Sequence, residues 1–335
     1  MAHIREGLAF DDVLIEPVYN SDVESREEDV DLRVGFEDIV FEHPIIPANM
    51  EDVAGLKLLA AQNHSGGLGL IHRFQSVEDQ IAQFVALGEP TYHVGASVGV
   101  KNDFDRAKAL IAAGVTIICV DVAHGDSHLA ARMVQFLRMQ GITIIAGNVA
   151  TRSGARRLWE AGADIVKVGI GPGSLCTTRI ETGCGVPQLT AIMDVAELRN
   201  EAFIGRKIIA DGGIKNAGDC VKALCFADMV MIGNLFAGCD EAPGLAPGGN
   251  SSYKLYRGSS THKTSHVEGV QARVPRTGTF HSVLNRLLEG IRSGCSYQNA
   301  TQLWKLQEDP RLIRITSAGL RESYPHDVVV VPHEG

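Results

Sequence analysis

One cysteine stands where chemistry can use it. In Gly169-Ile170-Gly171-Pro172-Gly173-Ser174-Leu175-Cys176-Thr177-Thr178-Arg179, a thiol follows three glycines and a proline, sits among hydroxyls and has a cation close behind. Glycine and proline together fix an unusual backbone path. Hydroxyls and a guanidinium can support the thiolate, the nucleophilic form. The alternative, a buried cysteine behind a turn, stays open at this point. The other cysteines have no such setting. Cys119 falls inside an apolar run, and Cys220, Cys225 and Cys295 fall in helical stretches, where a thiol packs as a small hydrophobe. Cys184 and Cys239 fall in loops without glycine frames or hydroxyl clusters.

Other loops carry polar groups of a different kind. Asp211-Gly212-Gly213-Ile214 and Gly233-Asn234-Leu235-Phe236-Ala237-Gly238 each follow an apolar run. Glycine lets backbone N–H groups approach an anion closely, so both loops read as phosphate sites or as plain tight turns. An ionised Asp211 only accepts hydrogen bonds, which suits a ribose diol. Asp121 ends an apolar run, where an unpaired carboxylate is costly, so it needs a partner. His124 and Asn148 follow at the ends of neighbouring runs and read as ligand contacts or structural hydrogen-bonders.

The elements that must hold these loops repeat along the chain. Short apolar runs occur at 44–50, 68–73, 93–98, 116–123, 143–149, 164–170, 207–210 and 229–232. Helical stretches follow at 52–63, 77–87, 104–113, 127–140, 154–161, 189–199, 217–226 and 281–294. Val- and Ile-rich runs with little alternation suit parallel strands buried on both faces. Eight such units favour a closed (β/α)8 TIM barrel, an α/β fold, over an open sheet. In a barrel the loops after the strand C-termini carry function, and those after the last two strands commonly hold phosphate. The expected organisation is a single barrel domain over 1–335. It has an extended lead-in at 1–43, a mobile flap region at 240–280 and a tail at 310–335 containing an apolar run at 328–331.

Composition narrows the partners. With 45% hydrophobic residues and 21% charged, the chain can fill a large core. A net charge of −9 argues against a nucleic-acid partner. No apolar run reaches the ~18 residues of a membrane helix, and the N-terminus lacks a signal-like apolar stretch. Seven cysteines without a CxxC pair predict reduced thiols, a cytoplasmic location and no structural zinc.

The 171–179 loop closely resembles that of the IMP dehydrogenase/GMP reductase family. Further similar segments are Phe10-Asp11-Asp12-Val13-Leu14, Ser25-Arg26, Ala48-Asn49-Met50, Ile71-His72-Arg73-Phe74, Val120-Asp121-Val122-Ala123-His124-Gly125, Ala146-Gly147-Asn148-Val149, Ile209-Ala210-Asp211-Gly212-Gly213-Ile214, Met231-Ile232-Gly233, 253–258, Glu268-Gly269 and 319–328. The resemblance implies that Cys176 attacks C2 of a purine nucleoside monophosphate. It implies that Thr178 and Glu268 handle protons at the leaving group. Asp211 is implied on the ribose. Ser174, Gly213, Gly233, Asn234 and Tyr256 are implied on the phosphate, with Asn234 where Ser or Gly is more usual. Met50, Gly258 and Gly269 are implied on the substrate as well. Asp121, His124, Asn148 and Arg179 are implied along the nicotinamide side, the cofactor being NADP or, alternatively, NAD. Gly171, Gly173 and Cys176 resemble carbonyl donors to a monovalent cation, K+, completed by a tail resembling Glu322-Ser323 from a neighbouring subunit. A homotetramer or octamer is implied with it.

The family runs two reactions. Reductases release ammonia from GMP and deliver hydride to give IMP. Dehydrogenases take hydride from IMP and hydrolyse the adduct to XMP with an Arg-Tyr pair on a flap. The corresponding stretch here, 259–267, contains neither Arg nor Tyr, and between Asn63 and Val100 there is no room for the regulatory insert of many dehydrogenases. Both features favour GMP reductase, as does the similarity of Ile71-His72-Arg73-Phe74 to some bacterial reductases. The 319–328 segment instead resembles bacterial dehydrogenases, the reductase arginine before Glu268-Gly269 is missing, and His262, Lys263 or His266 could serve as an alternative base. IMP dehydrogenase therefore stays as the alternative, and a non-catalytic purine-nucleotide-binding paralogue as the third reading.

Overall fold

A computed structural model of the chain describes residues 4–88, 93–244, 252–258 and 269–328. Eight parallel strands form its centre: β1 (Ile45–Pro47), β2 (Gly69–Ile71), β3 (Val94–Val98), β4 (Ile117–Asp121), β5 (Thr143–Val149), β6 (Ile165–Val168), β7 (Lys207–Asp211) and β8 (Met229–Ile232). Parallel ladders join them in sequence from β2 to β8 and then from β8 back to β1. β1 lies beside β2 and completes the ring. This is the expected (β/α)8 barrel. β1, β2, β3, β6 and β8 are buried at every position, as strands between a barrel interior and a helix layer must be.

The crossover helices are α1 (Leu56–His64), α2 (Val77–Leu87), α3 (Phe104–Ala112), α4 (His128–Arg138), α5 (Arg152–Ala161), α6 (Gln188–Ala202), α7 (Ala217–Leu224) and α8 (Phe280–Tyr297). Their starts are set by side-chain caps. Ser76, Ser127, Thr151, Asn216 and Thr279 each accept the N–H three residues on, satisfying a donor that the helix itself leaves open. The lead-in carries short strands of its own. It contains the hairpin Val34–Phe36 with Ile39–Phe41, and Val13–Ile15 pairs antiparallel with Leu312–Arg314 of the tail. Of the apolar run at 328–331, only Val328 lies within the described residues, and it is exposed.

At the barrel floor, buried carboxylates stitch neighbouring strands. Asp164, just before β6, accepts from Ile144 N of β5 at 2.9 Å and pairs with Arg206. Asp228, just before β8, accepts from Ile208 N of β7 at 2.9 Å and pairs with Arg199 and Lys207 at 3.0 Å. Each buried charge is thus matched by cations and by a strand amide, without which burial would be costly. None of the seven cysteines is in a disulfide. Among the described residues, no helix is long and apolar enough to cross a membrane.

A buried imidazole beside β1 gives the fold a pH dependence. His43 is 3% exposed. Its Nδ1 accepts from Ile45 N at 3.3 Å, which leaves Nε2 to carry the proton toward Ser65 Oγ at 3.0 Å. Burial pushes the ring down from 6.5 to about 4. Between those values the unfolded chain binds a proton that the folded chain refuses. The stabilisation is therefore complete above pH 6.5 and is lost as pH falls toward 4. The loss is expected to reach ~3 kcal/mol. Urea unfolding at about pH 7 and about pH 4.5 should show it, and His43→Gln should flatten it. A variant losing stability as steeply as the parent would show that other groups carry the acid sensitivity.

Candidate active site

Because all eight strands are parallel, their C-terminal ends open on one face, and the polar residues at those ends converge there. The cleft on that face has a volume of about 240 Å³ and is lined by Met50, Asp121, Asn148, Cys176, Asp211 and Tyr256, among others. These six sequence-predicted residues, from six separate segments, thus share one opening, whereas Gly213, Gly233, Asn234 and Gly269 are not among its lining residues.

Cys176 sits half-buried in the cleft, and its Sγ donates to Thr178 Oγ1 at 3.2 Å. Its backbone is fixed independently of the sulfur. Cys176 N donates to Gly173 O at 3.0 Å, and Val270 N donates to the neighbouring Leu175 O at 3.1 Å. Burial raises the other, interior thiols: Cys119, Cys225 and Cys295 are pushed up to about 12 and Cys239 to about 11. Cys220 is raised as well. These stay protonated and inert. Cys184 is exposed, away from the cleft.

Arg179, expected along the cofactor side, turns its guanidinium onto backbone carbonyls. Its guanidinium donates to Val186 O at 2.5 Å and to Ile170 O at 3.4 Å. Its stem lies against Gly171 and Gly185, where a Cβ would collide with it. Arg179 therefore braces the cysteine loop from behind. It borders a second hollow with Gly213, Ser174 and Lys215 rather than the main cleft.

Asp211 ends β7 and accepts from Asn148 Nδ2 at 2.8 Å, and Asn148 also donates to Gly169 O at 2.9 Å. Asp121 ends β4. The partner that sequence reasoning demanded for it is Lys167, from the middle of β6, with Nζ 2.9 Å from Asp121 Oδ1. Burial raises the Asp121 carboxyl, but Lys167 and Arg73 outweigh it and hold the group below its ordinary value. Arg73 Nε also donates to the Asp121 carbonyl at 2.9 Å. Lys167, Arg73 and Asn49 were not singled out from sequence for these contacts. The usable signal was a lone lysine in Ile165-Val166-Lys167-Val168: a charge in a doubly buried strand must be paired. His124 stays on the exposed rim and is not part of the cleft wall.

The far wall is a hairpin, Tyr253–Arg257 paired with Gln271–Pro275. Arg257 anchors it through a bidentate pair with buried Asp52, Nε to Oδ2 at 2.8 Å. Tyr256 is buried with its hydroxyl 3.4 Å from Met50 Sδ and close to Gly233. Burial pushes its phenol up, so it stays a neutral donor. Gly258 N donates to Val270 O at 3.1 Å, and Gly269 packs against Gly258 and Leu175 O. Asn234 opens the short helix Asn234–Ala237 directly after β8, with Gly233 before it. Glu268 and the 259–267 stretch lie outside the described residues.

An opening lined by a thiol, an acceptor carboxylate, glycine turns and a buried phenol suits a polar, phosphorylated substrate. Asp121, Asn148 and Arg73 add further polar groups to the same cleft. The description "IMP dehydrogenase / GMP reductase domain" matches residues 7–326. Inosine-5'-monophosphate dehydrogenase of Chlorobaculum tepidum is 45% identical over 264 residues, 70% of this chain and 53% of that protein. The enzyme of the same name from Halalkalibacterium halodurans is 46% identical over 261 residues, 71% of this chain and 53% of that protein. The chain spans about half the length of these curated relatives. Among solved structures, a cysteine-to-alanine variant of GMP reductase from Trypanosoma brucei, in complex with guanosine 5'-monophosphate, superposes with a TM-score of 0.88 at 28% identity. The match covers 97% of this chain and 99% of that one.

Proposed function

The chain belongs to the IMP dehydrogenase/GMP reductase family, and we propose that it is an oxidoreductase acting at C2 of a purine nucleoside monophosphate, running as an NADPH-dependent GMP reductase. The observation that carries this reading is the half-buried Cys176 thiol, 3.2 Å from the Thr178 hydroxyl, in the same cleft as Asp211 and Asp121 at the strand ends.

In this reading Cys176 Sγ attacks C2 and forms a C–S bond. The 2-amino group takes a proton and leaves as ammonia, with Thr178 and Glu268 passing that proton. When bound, the nicotinamide supplies the hydride that C2 takes as the C–S electron pair returns to sulfur, giving IMP. Splitting the substitution into two steps is the advantage of the covalent route. Asp211 accepts from the ribose hydroxyls. Ser174, Gly213, Gly233, Asn234 and Tyr256 hold the phosphate, and Met50, Gly258 and Gly269 frame the nucleotide. Asp121, His124 and Asn148 lie toward the nicotinamide, while Arg179 serves that side only by shaping the loop. The Gly173 carbonyl already accepts Cys176 N, but a carbonyl keeps a second lone pair. Gly171, Gly173 and Cys176 would hold a K+ ion through their carbonyls. A cytoplasmic homotetramer or octamer is part of the same proposal.

The 259–267 stretch without an Arg-Tyr pair supports the reductase. The names of the sequence relatives favour the second reading, IMP dehydrogenase, which takes IMP, NAD and water to XMP and NADH. Absorbance at about 340 nm distinguishes them, since only the reduced nicotinamide absorbs there. NADPH loss with GMP, with ammonia released, is the expected result. NADH formation with IMP would replace it by the dehydrogenase. No change in either mixture would leave only nucleotide binding.

A further inference from the structure

Lys167 is 2% exposed, and all of its hydrogen-bonding capacity is accounted for. Nζ donates to Asp121 Oδ1 at 2.9 Å, to Asp211 Oδ2 at 3.1 Å and to Asn49 Oδ1 at 3.4 Å. An ammonium has three N–H groups. None is left for a ligand, so Lys167 can act on bound molecules only through the groups it holds. We infer that Lys167 is a positioning residue through which one ammonium orients both carboxylates, making the nucleotide half and the cofactor half of the cleft a single charge system. This rests on the proposed placement of Asp211 at the ribose and Asp121 at the nicotinamide.

The charge balance around it is tight. From β4 it faces Asp121 and, one turn of the pleat back, Cys119; from β7 it faces Asp211. Arg73, after β2, is 3.8 Å from Asp121 Oδ2. Tyr256, from the hairpin, faces Asp211. Asn49, Asn148 and Met231 complete the surroundings without charge. Burial alone would lower the Lys167 ammonium, but Asp121 and Asp211 outweigh it and raise it, so it stays charged. Remove it and two carboxylates remain with Arg73 on only one of them. Like charges sharing a site cannot both ionise freely, so one of them binds a proton more readily than it does beside the ammonium.

The test measures GMP and IMP dissociation constants by calorimetry, without cofactor, across about pH 6.5–8.5. In Lys167→Met the ratio to wild type is expected to be at least about tenfold at the acid end and to shrink as pH rises, because the acceptor carboxylate regains its charge. Lys167→Arg, which keeps the cation, is expected to restore a pH-independent ratio. A ratio equally poor at every pH, or no rescue by arginine in a folded protein, would overturn the inference. Asp121→Asn covers the case in which Lys167→Met does not fold. With one carboxylate gone, the ammonium is drawn to Asp211, and nucleotide affinity should drop by roughly threefold or more even though Asp121 lies on the cofactor side. Unchanged affinity in that variant would also overturn it. If wild-type protein binds neither GMP nor IMP, the functional reading itself fails, a distinct result.

Discussion

Cys176→Ala is expected to lower turnover by at least about 10⁴-fold while nucleotide affinity stays within a few-fold of wild type. Without sulfur there is no covalent route, and nothing else in the cleft can take its place. Every other described cysteine is either interior, with its thiol raised by burial, or, like Cys184, exposed away from the cleft. The loop itself should survive. Cys176 N to Gly173 O, Val270 N to Leu175 O and the Arg179 contacts with Val186 and Ile170 all avoid the sulfur. Only Thr178 Oγ1 loses a partner, and it sits in an open, half-buried setting where water can replace it. Thermal unfolding should therefore shift by no more than about 1 kcal/mol. The measurement pairs steady-state rates with nucleotide calorimetry, and Cys184→Ala serves as the unaffected control. Turnover within tenfold of wild type in Cys176→Ala would remove the nucleophile from the account.

How much of this was legible beforehand depended on whether local pattern or tertiary convergence decided the matter. The strands at 143–149 and 229–232 and the helix at 77–87 coincide with the observed elements, because doubly buried strands and a capped amphipathic helix leave unambiguous patterns. Helix α1 starts at Leu56 rather than at 52, since Asp52 is committed to Arg257 and residues 50–55 turn on themselves through Val53 N and Ala54 N to Met50 O. Helix α5 starts earlier than 154, because Thr151 caps it. The thiol, the two glycine turns and Asp211 were legible as strand-end features. Lys167 was not, because an apolar-run reading absorbs a single lysine. Its value appears only when the ends of β4 and β7 bring two carboxylates onto the lysine of β6. The packing of Arg179 was not legible either, because nothing in the local pattern shows that Gly171 and Gly185 leave space for its stem.

Gly169→Ala is expected to cost about 10² in turnover without changing any side chain that would touch substrate. Gly169 follows β6 with φ +155, and its N donates to Val149 O at 2.8 Å while its carbonyl accepts from Asn148. A Cβ placed there would fall on the Asp211 carbonyl oxygen, far inside van der Waals contact, and 3.2 Å from Gln188 Nε2. The obstacle is backbone at the end of a core strand, so no rotamer change relieves it. Relief requires β6 and β7 to separate at their C-terminal ends by about an ångström, the scale at which misplacement of reacting groups costs ~10²-fold. That movement would carry the cysteine loop away from Asp211, splitting nucleophile from ribose site. Overpacking of this kind also costs ~1–3 kcal/mol of stability, which leaves a barrel of this size folded. Urea unfolding and steady-state kinetics on the same preparation separate the two effects. If Gly169→Ala unfolds at lower urea yet keeps wild-type kcat and KM, then the distance between the cysteine loop and Asp211 does not govern the reaction, and the two strand ends are independent.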